Sequence, residues 1–220
     1  MHRFVINLLL SFLAVIFSAC RHSYTINGTI EGYEGENLYL VINENGEFSV
    51  IDSCQVRHKH FQMSGRTDST VFAVLSHGFE PLMPLFVERG KLRINISPSV
   101  LDARGTKSNN TLYDFLDKKN EIDNRYDDLF QRSHFSSNVL NPYVSYDDSL
   151  KLVAAEAEDY IYKFVKKHYD DVVGVCVFLM VCIGDTSDEP SPLIRRIVEN
   201  APASFLNNKK IRGYIDDMGF

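Results

Sequence analysis

The most pointed chemical signal in the chain is Cys20. Ahead of it lie His2 and Arg3, then an almost wholly apolar run from Phe4 to Phe17, then the small residues Ser18 and Ala19. A charged start, an apolar middle and a small-residue exit are the order of a secretory signal. The apolar run is shorter than the about 20 residues that a spanning helix needs. The pattern predicts a lipoprotein signal peptide over residues 1–19, cleaved so that Cys20 becomes the lipid-bearing first residue. Phe17 stands where the commonest such signals carry Leu. Acyl chains of the palmitate kind bind a bilayer at about 0.8 kcal/mol per buried CH₂, so several together make a lasting anchor. Arg21 follows Cys20, with neither an Asp there nor an acidic cluster beyond. That points to the outer membrane, facing the periplasm.

Other residues are of types that do chemistry, but their spacing is poorer. His58-Lys59-His60 predicts two histidines on one face of a strand, because strand side chains alternate. Such a pair supplies two metal ligands, and no third stands at a fixed spacing. An exposed polar hairpin is the preferred reading. Asp52-Ser53 pairs an acid with a hydroxyl, but no motif places the histidine that would activate Ser53. Asp114, Asp117, Glu121, Asp123, Asp127 and Asp128 lack the ligand order and Gly of a calcium loop and read as a solvated helical face. Cys54, Cys176 and Cys182 remain after Cys20. They form no C-x-x-C pair, so neither a thioredoxin-type redox site nor a zinc knuckle is encoded. An oxidising envelope leaves one disulfide among them open. Asp68-Ser69-Thr70 and Asp148-Ser149-Leu150 have the short Asp-Ser/Thr-apolar form of O-glycosylation sites. No catalytic, cofactor-binding or metal-binding residue is assigned.

Composition narrows the partners. The net charge is −6, and loss of Arg3 with the signal makes the remainder more acidic. No basic stripe is present, so nucleic acid is not an expected partner. The chain is 45% hydrophobic and has no Trp. Roughly two hundred residues after the signal suit one large domain or two small ones.

Two kinds of element must position these residues. From Tyr24 to about Thr106, short alternating runs predict strands. They start at Tyr24, Leu38, Phe48, His60, Val71, Leu85 and Leu92. Asn43-Glu44-Asn45-Gly46 is a hairpin turn. Pro81 and Pro84 flank a less regular stretch. From Ser108 the period becomes helical. Ser108 or Asn109 is the expected cap of the first helix, which ends in a loop from Ser133 to Ser145. A second helix follows, with Ser145 and Asp148 as its capping box. Val172 to Ile183 reads as a buried helix, with a buried strand as the lesser option. Pro190 and Pro192 open another helix, and a last one covers Ala203 to Met218. The expected fold class is α+β: an antiparallel β-sandwich of about seven or eight strands over 20–107, then four or five α-helices over 108–220.

Several of these segments share a pattern. Ile51-Asp52-Ser53-Cys54-Gln55-Val56 is followed by Phe61 and Ser64-Gly65. Further on come Phe86-Val87-Glu88-Arg89-Gly90, Leu92-Arg93-Ile94, and Gly105-Thr106 before Asn109-Asn110. Together they resemble domain of unknown function 4369, a lipoprotein domain of Bacteroidota, over roughly residues 24–120. The family often has Gly in the turn before Phe61, where this chain has Lys59. The resemblance implies a cell-envelope location. It also implies a common neighbour, since the domain often precedes a thioredoxin-like (AhpC/TlpA-type) module. The helical region resembles the spacer before that module, and this sequence ends where the module would begin. The resemblance carries no catalytic residue.

The expectation is therefore a non-catalytic envelope lipoprotein, tethered by its lipid anchor and acting as a binding or interaction module. The alternatives are an accessory to thiol-disulfide systems through a separate thioredoxin-like partner, and an enzyme whose site no motif reveals.

Overall fold

The computed structural model describes residues 22–44, 46–136, 146–187 and 189–218. Cys20, Asn45 and Ser145 lie outside the described residues, and with them the acylation site, part of the first hairpin turn and the Ser145 cap. The chain divides into two compact units, Met1–Asn110 and Thr111–Phe220, with the boundary inside the first turn of a long helix.

Among the described residues, the first unit holds eight strands: β1 (Ser23–Ile30), β2 (Asn37–Glu44), β3 (Glu47–Gln55), β4 (His60–Arg66), β5 (Val71–His77), β6 (Glu80–Val87), β7 (Gly90–Ser97) and β8 (Val100–Arg104). They form two four-stranded sheets, β4-β1-β7-β8 and β3-β2-β5-β6. Alternate residues turn inward, as a half-buried strand requires. Ile26, Ile30, Phe61, Met63, Leu92 and Ile94 are buried from one sheet; Leu38, Leu40, Leu75, Met83 and Leu85 are buried from the other. Each such side chain contributes about 1.5–3 kcal/mol by leaving water. Neighbours run antiparallel except β1 and β7, which pair in parallel from Tyr24↔Gly90 to Ile30↔Ile96. The exception follows from the winding: β1 and β7 start at the same end of the sandwich, and β7 takes the place beside β1 opposite β4.

Four sequence expectations change here. Pro81 and Pro84 lie inside β6 rather than in an irregular stretch. They are tolerated because β6 is an edge strand, where a missing N–H breaks no ladder. β8, with its mixed sequence, is a strand that alternation did not reveal. The cap of the first helix comes from Glu88, as described below. The last helix is two, because Asn208 breaks it: its side-chain oxygen accepts from the Lys210 N–H (3.0 Å) and starts a new helix.

The helices are α1 (Lys107–Ser136), α2 (Tyr146–Lys167), α3 (Val172–Gly184), α4 (Pro192–Glu199), α5 (Ala203–Leu206) and α6 (Lys209–Met218). In the second unit, α3 is apolar on all sides and is the central element. Asp171 caps it by accepting from the Val173 N–H (3.1 Å). Val173, Val177 and Phe178 are buried with Val165 of α2, Ile194 and Ile197 of α4, Phe205 and Ile211. Arg196 lies 3.7 Å over the Tyr162 ring and pairs with Asp159 (3.2 Å), which ties α4 to α2.

Candidate functional site

The first unit has two ends with different contents. Strand direction puts the connections β1–β2, β3–β4, β5–β6 and β7–β8 at one of them, here called the turn end. Hydrogen bonds join neighbouring connections there. The Ile30 N–H donates to the Lys59 carbonyl (2.8 Å), and the Glu31 N–H donates to the Ile96 carbonyl (3.2 Å). The Gly35 N–H donates to the Val56 carbonyl (3.1 Å).

The histidine pair of the sequence lies here, but not on a strand face. His58 and Lys59 are the two corner residues of the β3–β4 hairpin, with φ of 54° and 63°, and only His60 belongs to β4. Arg57 and His60 exchange backbone hydrogen bonds across the turn (2.8 and 2.9 Å). Positive φ at both corners is the tight-hairpin geometry usually given to Asn and Gly. What supports it is Glu34, whose two carboxylate oxygens accept from the His58 and Lys59 N–H groups (2.9 and 3.0 Å). Those two bonds hold the Glu34 carboxyl below the usual glutamate range. No group of three or more metal-ligating side chains occurs among the described residues.

Around this locked turn stand further side chains. His77 meets Glu36 (3.1 Å) and sits edge-on to Tyr33, with centroids 5.1 Å apart. The β5–β6 turn follows, with Gly78 at φ 56° and Phe79 fully exposed beside it. Val100 and Leu101, at the start of β8, are exposed as well. The turn end therefore presents an aromatic and two aliphatics on short, hydrogen-bonded connections, among charges of both signs.

The other signature residues are used inside the fold. The Tyr24 hydroxyl donates to Asp52 (2.8 Å) and bridges the two sheets, while the other Asp52 oxygen accepts from the Ser53 N–H (2.8 Å). Burial, followed by the Asp52 contact, pushes the Tyr24 hydroxyl well above the usual tyrosine range. Asp52 thus orients Tyr24 rather than a nucleophile. Phe61 lies over Gly28 on the neighbouring strand, where a Cβ would come within 2.1 Å of the ring.

The segments around Glu88 and Asn109 meet at the start of α1. Glu88 accepts from the Ser108 N–H (2.7 Å) and hydroxyl (3.0 Å), so it caps the helix from twenty residues upstream. Sequence reasoning looked for a local cap and missed it, because the partner is distant in the chain. Asn109, fully buried, accepts from the Phe86 N–H (2.9 Å) and donates to the Phe86 carbonyl (2.7 Å) and to the Thr106 hydroxyl (2.8 Å). Its amide completes the edge of β6 as a ninth strand would. Gly105, at φ 129°, passes so close to Lys91 that a Cβ would stand 2.3 Å from the Lys91 carbonyl oxygen.

The remaining candidates take ordinary places. The acidic face of α1 is crossed by ion pairs at helical spacing, Lys118–Glu121, Lys119–Asp123 and Arg132–Asp128. Ser69 and Thr70 lie in the β4–β5 connection, and Ser149 lies in the first turn of α2. Cys54, Cys176 and Cys182 are free thiols. Burial pushes Cys176 and Cys182 up to about 12, and raises Cys54 as well. Thiolate is the nucleophilic form, so all three are poorly disposed to redox exchange.

Residues 24–112 match a family model described as Domain of unknown function (DUF4369). The match runs from β1 into the first turns of α1 and covers the segments on which the resemblance rested. No curated protein and no solved structure matches the chain.

Proposed function

We propose that the protein is a non-catalytic interaction module of the cell envelope, held at a membrane by acyl chains on Cys20, and that its turn end receives a protein partner. The observation that carries this reading is Phe79. It is a fully exposed aromatic on a turn between two paired strands. An aromatic in such a place gives large contact area at little entropic cost, which is the character of an interface anchor. Val100 and Leu101 extend the apolar surface, and the surrounding Glu and Lys side chains make a polar rim. Loops on a rigid scaffold commonly carry recognition.

Full-length protein with its anchor, purified from envelope extracts after crosslinking, supplies the test. A Phe79→Ser, Leu101→Ser variant should fold and reach the membrane like the wild type but lose the crosslinked partner. Retention of the same partner by the variant would sink the proposal. Enrichment of a thioredoxin-like protein would identify the module as an accessory to thiol-disulfide chemistry.

A further inference from the structure

The end of the sandwich opposite the turn end carries a separate apolar feature. The β2–β5 register stops at Val41↔Val74, whereas β2 and β3 stay paired to Glu44↔Glu47. Beyond Val41 the two strands are paired to each other but no longer to β5, and their hairpin forms an arm. A bulge at Ile51 precedes it, and the Asn43 side chain closes its turn by accepting from the Gly46 N–H (2.9 Å). Phe48 and Val50 alternate onto one face of β3 and are 77% and 59% exposed.

Paired with Val41 and Asn43, those side chains lie on the outer face of their sheet, opposite the buried Leu40 and Ile42. The start of β1 lies at this same end of the sandwich. Both β1 and β3 run toward the turn end. The arm, with Val50 on it, therefore shares an end of the sandwich with Ser23. Phe48 is two residues farther out, about 7 Å at strand rise. The chain is already fixed at His22, whose carbonyl accepts from the Thr67 N–H (2.8 Å). Cys20 is two residues before His22, a reach of at most about 7 Å.

We propose that the β2–β3 arm dips into the lipid surface beside the acyl anchor, with Phe48 and Val50 in the interfacial layer. This rests on the acylation of Cys20. An acylated Cys20 lies at the bilayer surface and brings the arm to it, because no spacer is long enough to hold the sandwich away. Aromatic and aliphatic side chains on an exposed face favour that layer over water. Glu47, adjacent to Phe48 and exposed, keeps its carboxylate among the headgroups and makes the insertion shallow. The anchor and the arm then form two contacts that fix the tilt of the sandwich and turn Phe79 away from the membrane.

The absence of Trp from the sequence makes the test direct. Full-length, acylated Phe48→Trp and Phe79→Trp variants each contain a single tryptophan. They are reconstituted into phosphatidylcholine vesicles with and without acyl-brominated lipid, and acylation is verified by mass. Tryptophan at position 48 should shift to the blue and be quenched several-fold more than tryptophan at position 79. Equal quenching at both positions, or none at 48 in protein that carries its lipid, would overturn the insertion while leaving the anchor intact. Protein that acquires no lipid in cells would overturn the anchor, and the insertion with it.

Discussion

Lys59 sits in a backbone conformation that costs an L-residue about 1–2 kcal/mol, and the Glu34 carboxylate is what offsets it. Replacing Lys59 with Gly should therefore stabilise the protein by about 1 kcal/mol, read as a raised urea midpoint, because the turn is kept and the strain removed. The loss of the Lys59–Glu31 pair (3.3 Å) subtracts little, since both side chains are more than half exposed. This residue also marks a limit of sequence reading. Alternation puts His58 and His60 on one face only if a strand continues through them. An exposed hairpin was expected there, but its positive φ was hidden because neither corner residue is the Gly or Asn that announces it. The partner that permits it, Glu34, is remote in sequence.

At the level of elements, the strands with clean alternation were legible. So were the helices with a clear apolar face, and α3 through its unbroken apolar run. What was not legible depends on contacts made across the chain. Alternation hides β8, and β6 carries two prolines because one of its edges has no strand partner. The start of α1 depends on Glu88 and on the Asn109 amide. Asn109→Ala should destabilise the fold by about 2–4 kcal/mol, because it leaves a buried N–H and a buried carbonyl of Phe86 without partners. Chemical denaturation monitored by circular dichroism measures it. A cost under 1 kcal/mol would mean that water or a shifted side chain takes over those bonds. Asn109→Asp should be no milder, since a carboxylate accepts from the N–H but has nothing to donate to the carbonyl.

The molecule as a whole should be sensitive to alkali. Cys176 and Cys182 are raised from an ordinary 9.0 to about 12, and Tyr169 and Tyr214 from 10.0 to about 12, all chiefly by burial. Below pH 9 these groups keep their protons in both the folded and the unfolded chain, so they leave stability unchanged. Between about pH 9 and 12 the unfolded chain releases protons that the folded one holds, and stability falls as pH rises. Urea midpoints taken from neutral pH upward should decline from about pH 9, and Cys176→Ala should make the decline shallower. The same burial should protect both cysteines from alkylation until the protein unfolds.

The plugged edge of β6 has a consequence for how the molecules share a surface. On the proposed lipid anchor, copies of the protein diffuse in two dimensions and meet far more often than they would in solution. Sheets grow from chain to chain only when each molecule offers two open edges. In the β3-β2-β5-β6 sheet, β6 offers Pro81 and Pro84, which have no N–H, and Phe86, whose backbone groups are already taken by Asn109. Through that sheet, one molecule could join to a second at β3, but the pair could not go on to seed a fibre.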